Sequence, residues 1–116
     1  MKSSESMKDN SHFKKVYSNG LSYANMYLVM YVLENHTNKN RIGISVSKKV
    51  GNSVIRHRVT RLIRESYRLK EDLFKKGFDI VIVARVSVRG KGFAEINSAM
   101  LHLGRLHKIL EEMVNS

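Results

Sequence analysis

Residues 41–65 read RIGISVSKKVGNSVIRHRVTRLIRE, and two different hydrophobic periods meet inside that stretch. From Arg41 to Lys49 the residues alternate, with Ile42, Ile44 and Val46 pointing one way and Ser45, Ser47 and Lys49 the other, the pattern of a half-buried strand. Gly51-Asn52-Ser53 breaks it. The period then becomes helical, from about Ser53 to Leu73. At about 100° per residue, Val59, Leu62, Ile63, Ser66 and Leu69 fall in one arc that can bury. His57, Arg61, Arg64 and Arg68 fall within about 60° on a neighbouring arc. Arg56 and Arg58 flank this row at the helix start, and Lys48 and Lys49 end the strand a short loop away.

Working outward, the N-terminal residues 1–10 read as a flexible end and residues 11–116 as one domain. Asn10 or Ser11 can cap a short helix carrying Phe13, Val16 and Tyr17, which Asn19-Gly20 ends. Tyr23 to Leu33, rich in aromatic and β-branched residues, reads as one strand with Tyr23, Asn25, Tyr27, Val29 and Tyr31 on a common face. Downstream of the basic helix, Lys76-Gly77 makes a turn. Phe78 to Val86 is then a nearly continuous apolar run, as in a strand covered on both faces. A final helix, about Phe93 to Met113, repeats Ile96, Met100, Leu103, Leu106 or His107, and Leu110 at helical spacing. The order is α-β-β-(β)-α-β-α, an α+β fold with helices packed on a sheet; a further short strand has no fixed place in the sequence.

Charge narrows the function. The 116-residue chain carries a formal +11 with a pI near 10.1, and 42% of it is hydrophobic, enough for a folded core. Lys39 to Lys91 hold 15 Lys and Arg against 4 acids, so the whole excess sits mid-chain. That is a built surface for a polyanion, whereas a face kept for solubility mixes both signs. The chain has no cysteine and no apolar run long enough to span a bilayer, and its first ten residues lack the apolar core of a secretory signal. These features point to a cytoplasmic protein. Like charges stacked along a helix cost about 0.2–0.5 kcal/mol per pair, a repulsion that an anion relieves. Arginine at most positions of the row favours forked contacts to phosphate. Phe13, Tyr17 and Tyr31 offer a second surface on which unpaired bases can stack, although periodicity by itself favours core packing for them.

The stretch quoted above resembles the signature of the bacterial ribonuclease P protein subunit. In that family a Gly-x-x-Val-x-Lys-Lys-x-Gly strand end feeds an Arg-Asn-Arg-x-Lys-Arg-x-x-Arg-Glu helix. Residues Phe13 to Gly20, Ala24-Asn25 and Ile80 to Arg85 also match, so the resemblance covers about residues 11 to 110. His57 stands where the family has asparagine, and Thr60 where it has lysine. The resemblance implies a ribosomal-protein-S5-domain-2-like sandwich, α-β-β-β-α-β-α, with a left-handed β-α-β crossover where the general rule favours the right-handed one. It implies that a catalytic RNA removes the 5′ leader from precursor tRNA with Mg²⁺. The protein would hold ribonuclease P RNA through Lys48, Lys49, Arg56, His57, Arg58, Arg61, Arg64 and Arg68. It would hold the single-stranded leader through Phe13, Tyr17, Tyr31 and Ser47. This replaces the core reading of the three rings. Neither a membrane nor an obligate protein partner is implied, and metal positions stay open.

Two rivals stand beside it. A ribosomal or RNA-chaperone protein can use the same helix without a role in cleavage. A self-sufficient nuclease needs clustered carboxylates, and Glu34, Glu65, Glu71, Asp72, Asp79 and Glu95 are scattered, with Glu71-Asp72 reading as solvated helix-end acids. His57 as a general base lacks a second acid–base partner, and the five histidines show no ligand spacing.

Overall fold

The computed structural model describes residues 3–111 of the chain. The elements follow as β1 (Ser4–Ser6), α1 (Asn10–Asn19), β2 (Leu21–Ala24), β3 (Leu28–Glu34), β4 (Asn40–Ser45), α2 (Ser53–Lys70), β5 (Phe78–Ala84) and α3 (Phe93–Leu106). Short 3-10 turns at Glu71–Leu73 and Val86–Val88 follow α2 and β5. The strands form one sheet in the order β1-β4-β5-β3-β2. The β1–β4 and β4–β5 pairs are parallel, and the β5–β3 and β3–β2 pairs antiparallel. This is the expected α+β architecture.

The apolar run of β5 explains its central place. Ile80, Ile82 and Ala84 enter the main core with Ile63 and Tyr67 of α2 and Met100 and Leu103 of α3. Val81 points to the opposite face, where it is buried with Val16 of α1 and Met7. Each such side chain, fully buried, contributes about 1.5–3 kcal/mol, and a strand flanked on both faces collects it at every position. Between the parallel neighbours β4 and β5 the chain passes through α2, so the basic helix is the crossover of a β-α-β unit. Ser66 Oγ donates to Asn97 Oδ1 at 2.9 Å and ties α2 to α3.

Several expectations need correction. The segment 1–10, expected to be flexible, supplies an edge strand over Ser4–Ser6, and Met7 N–H donates to Ile42 O at 2.8 Å. Asp9, rather than Asn10 or Ser11, caps α1, accepting from Ser11 N–H at 2.9 Å. The single strand expected over Tyr23–Leu33 is a hairpin. Asn25 Oδ1 accepts from the N–H groups of Tyr27 and Leu28, at 3.2 and 3.0 Å, and this side-chain turn folds the chain back. The hairpin places the third strand that the pattern left open. In the resulting register Tyr23 pairs with Met30, so Tyr23 and Tyr31 lie on opposite faces.

The helix ends differ too. β4 stops at Ser45, short of Lys49, and α2 stops at Lys70, with Leu73 in the 3-10 turn. Leu69, expected in the buried arc, is 54% exposed, and Tyr67 is buried in its stead. The Tyr67 hydroxyl is satisfied by Ser4 Oγ at 2.8 Å and Asn40 Nδ2 at 3.3 Å, which removes the penalty of burying it. Burial, the leading cause, raises the Tyr67 pKa. Glu71 is buried rather than solvated at a helix end, and Ser3 N–H lies 3.4 Å from its carboxylate. α3 ends at Leu106, and Lys108 takes a positive φ of 59°. Leu110, expected on that helix, bridges instead to Phe74. The expected terminal residue Met113 lies outside the described residues. Of the alternatives Leu106 and His107, the inward one is His107, whose Nε2–H donates to Met30 O at 2.8 Å while Leu106 is exposed.

Candidate nucleic-acid interface

Asn52 starts α2 by accepting from Ile55 N–H at 3.0 Å, which fixes the helix immediately after the Lys48–Val50 turn. Burying Val59, Ile63, Ser66 and Tyr67 then dictates which residues face outward. His57, Arg61, Arg64 and Arg68 are all exposed, in the row the spacing predicts. Among the described residues Arg61 and Arg64 have no ion-pair partner. Arg68 does: its Nε donates to Glu65 Oε2 at 3.0 Å, and the shared hydrogen bond lowers the Glu65 pKa and raises that of Arg68. Arg68 is thus a partly neutralised end of the row.

The flanking cations are not equivalent. Arg58 Nη1 donates to Lys91 O at 3.1 Å, reaching across to the segment before α3. Arg56 is half-buried, and among the described residues its enclosed Nε has no acceptor. Thr60 Oγ1 donates to Arg56 O at 2.9 Å, so this hydroxyl turns back onto its own helix. Ser53, Val54, His57, Arg58 and Arg61 border a surface recess of about 500 Å³ at the start of the helix. Lys48 and Lys49 are exposed on the turn that leads into it.

The three rings come together on the other face of the sheet. Phe13 and Tyr17 stand with centroids 6.3 Å apart, and Tyr17 meets Tyr31 of β3 edge-on at 4.9 Å. Tyr17 is 38% exposed, with Phe13 and Tyr31 half-buried beside it. Gly43 makes room for this: a Cβ there would stand 2.7 Å from Phe13 Cζ. The rings are therefore neither core nor free surface but the rim of α1 where it crosses the sheet. Ser47 starts the turn with Lys48 and Lys49, its carbonyl accepting from Val50 N–H at 3.0 Å.

Sequence reasoning left the cations of the Arg85–Lys91 segment without an assignment. Their signal was present, since no acid stands between Asp79 and Glu95. Among the described residues no three His, Asp or Glu side chains are grouped to hold a metal ion, and no helix is long and apolar enough to cross a membrane.

Comparison with known proteins agrees with this geometry. Residues 1–108 match the family model described as Ribonuclease P. The ribonuclease P protein component of Lachnoclostridium phytofermentans is 61% identical over 107 residues, covering 92% of each chain. That of Alkaliphilus metalliredigens is 48% identical, covering 95% of this chain and 99% of the relative. Among solved structures, the Staphylococcus aureus RNase P protein superposes with a TM-score of 0.85 at 31% identity, covering 93% of this chain and 99% of that one. The Thermotoga maritima RNase P protein gives 0.80 at 28% identity, covering 87% and 96%. With its basic crossover helix, its mixed five-stranded sheet and a match along nearly its whole length, the chain belongs to the ribonuclease P family.

Proposed function

We propose that the chain is the protein subunit of a ribonuclease P ribonucleoprotein and serves it by binding at two places. The row His57, Arg61 and Arg64, with Lys48, Lys49 and the flanking Arg56, Arg58 and Arg68, holds ribonuclease P RNA. The rim formed by Phe13, Tyr17 and Tyr31 stacks bases of the single-stranded 5′ leader of precursor tRNA, and Ser47, at the start of the turn into α2, adds a further leader contact. The observation that carries the reading is the pair Arg61 and Arg64, exposed and without an ion-pair partner among the described residues, on a helix whose opposite face is locked into the core. Such a helix cannot rotate its charges away, so an RNA backbone meets a fixed row of attachment points, and only the arginine side chains are ordered on binding.

Catalysis in this reading belongs to the RNA partner, where Mg²⁺ would supply charge stabilisation for the cleavage. The chain's own residues bind and orient. Holding the catalytic RNA on one face of the sheet and the leader on the other raises the local concentration of substrate at the RNA without new chemistry. The test is reconstitution: added to ribonuclease P RNA at low Mg²⁺, the protein restores leader cleavage. Co-sedimentation with ribosomes, and no gain in cleavage, would favour the ribosomal or chaperone alternative. Cleavage by the protein without RNA would return the active site to this chain.

A further inference from the structure

The segment between β5 and α3 is a stiff, cationic turn. The N–H groups of Val88, Arg89 and Lys91 donate to the carbonyls of Arg85, Val86 and Val88, at 3.0–3.1 Å. Val88 is fully buried and anchors the turn in the core, and Arg85 Nη1 donates to Asn25 O at 2.7 Å, fastening the turn to the β2–β3 hairpin. Gly90 supplies the positive φ of 80° that lets the turn close. What remains outside is Arg89, exposed, and Lys91, half-buried with its ammonium 5.7 Å from the centre of the Tyr27 ring. Among the described residues neither has an ion-pair partner. The link to α2 is Arg58, whose guanidinium bonds the Lys91 carbonyl while also bordering the recess shared with His57 and Arg61.

We infer that the turn carrying Arg89 and Lys91 is a second contact for the backbone of the same RNA that α2 holds, with Arg58 as the positioning residue between them. The inference rests on the proposed RNA-binding role of α2 and extends it. A turn fixed at both ends brings its cations to a phosphate without ordering any backbone, so only their side chains are ordered on binding, which favours a phosphate contact. Its attachment runs to the start of α2 and not to the aromatic rim, so its ligand is the catalytic RNA rather than the leader. Arg58 commits a donor to the protein, so its main effect is to hold the turn beside Arg61.

The test measures affinity of the full chain for ribonuclease P RNA across a salt series. The variants are Arg89→Ala/Lys91→Ala, Arg61→Ala/Arg64→Ala, and Arg58→Ala alone and with the turn pair. The turn pair is expected to weaken binding several-fold and to flatten the salt slope by about 0.7–0.9 for each phosphate left without its cation. Arg58→Ala is expected to weaken binding in the wild-type turn and much less once the turn cations are gone. If the turn pair changes nothing while the Arg61/Arg64 pair weakens binding, the turn proposal falls and the α2 reading stands. If neither pair matters, both fall. Arg58→Ala acting equally in both backgrounds overturns its positioning role. A turn pair that weakens precursor tRNA binding without the catalytic RNA, by the same factor, overturns the choice of ligand.

Discussion

The Arg41 guanidinium forks onto the Asp79 carboxylate, Nε to Oδ1 at 2.7 Å and Nη2 to Oδ2 at 2.9 Å, across the parallel β4–β5 pair. Asp79 is 2% exposed and also accepts from Asn35 Nδ2 at 3.0 Å, so the β-α-β unit that carries the basic helix is clasped at its open end. Removing one member leaves the other charge stranded. Arg41→Ala, which leaves the buried Asp79 carboxylate without its counter-charge, is therefore expected to destabilise the fold by about 3–5 kcal/mol. Urea unfolding monitored by circular dichroism measures it. A loss well under about 1 kcal/mol, the range of an exposed pair, would mean that solvent already reaches this one.

On the helix itself, Arg61→Ala/Arg64→Ala removes two exposed cations and leaves the buried face intact. Stability is expected to change by less than about 0.5 kcal/mol, as for exposed sites away from special contacts. RNA affinity should drop, and the slope of log K against log salt should flatten by about 1.4–1.8. Filter binding across a salt series reads both. An unchanged slope would remove the row from the interface.

His107 gives the fold a pH dependence. Burial lowers its pKa, and its hydrogen bond to Met30 O opposes that shift only in part. The unfolded chain, with an ordinary histidine value of about 6.5, therefore takes up a proton before the folded chain does. More protons bound in the unfolded state mean that stability rises with pH in that window, so it is full above about pH 6.5 and falls as the pH drops toward the lowered folded value. Urea midpoints at about pH 7.5 and about pH 5.5, on either side of the unfolded value of about 6.5, should differ in that direction, and His107→Gln should shrink the difference. An equal drop in the variant would assign the effect to other groups.

Much of this was legible in the residues because it rests on period and charge. The apolar run of β5, the cationic row of α2 and the turn at Gly77 depend on local pattern, and the structure keeps all three. What was hidden depends on partners distant in the chain. A helical wheel cannot choose between Leu69 and Tyr67 at the edges of one arc, and hydropathy favours the leucine. The choice falls to Tyr67 because its hydroxyl is hydrogen-bonded to Ser4 and accepts from Asn40, 63 and 27 residues away. The strand over Ser4–Ser6 was missed for the same reason, since a polar three-residue edge has no pattern of its own and exists through pairing with Asn40–Ile42. The hairpin had a local signal, Asn25, but β-rich residues on both sides masked it. The ring cluster was undecidable from spacing, because Phe13 and Tyr17 are at once packed and partly exposed.

That half-exposure makes the rim testable. Tyr17 is held edge-on by Tyr31 at 4.9 Å and backed by Phe13, which itself sits against Gly43. Tyr17→Ala is expected to weaken binding of leader-bearing precursor tRNA by about 1–3 kcal/mol, the worth of one stacked base, while mature tRNA binds as before. Gly43→Ala approaches the same rim from beneath. Its new methyl would stand 2.7 Å from Phe13 Cζ, so the ring must move, at an overpacking cost of about 1–3 kcal/mol. If the rim reads the leader, this buried change also lowers leader affinity and spares mature tRNA, although it adds no group to the surface. Equal losses for both tRNAs, in either variant, would return the three rings to a purely structural role.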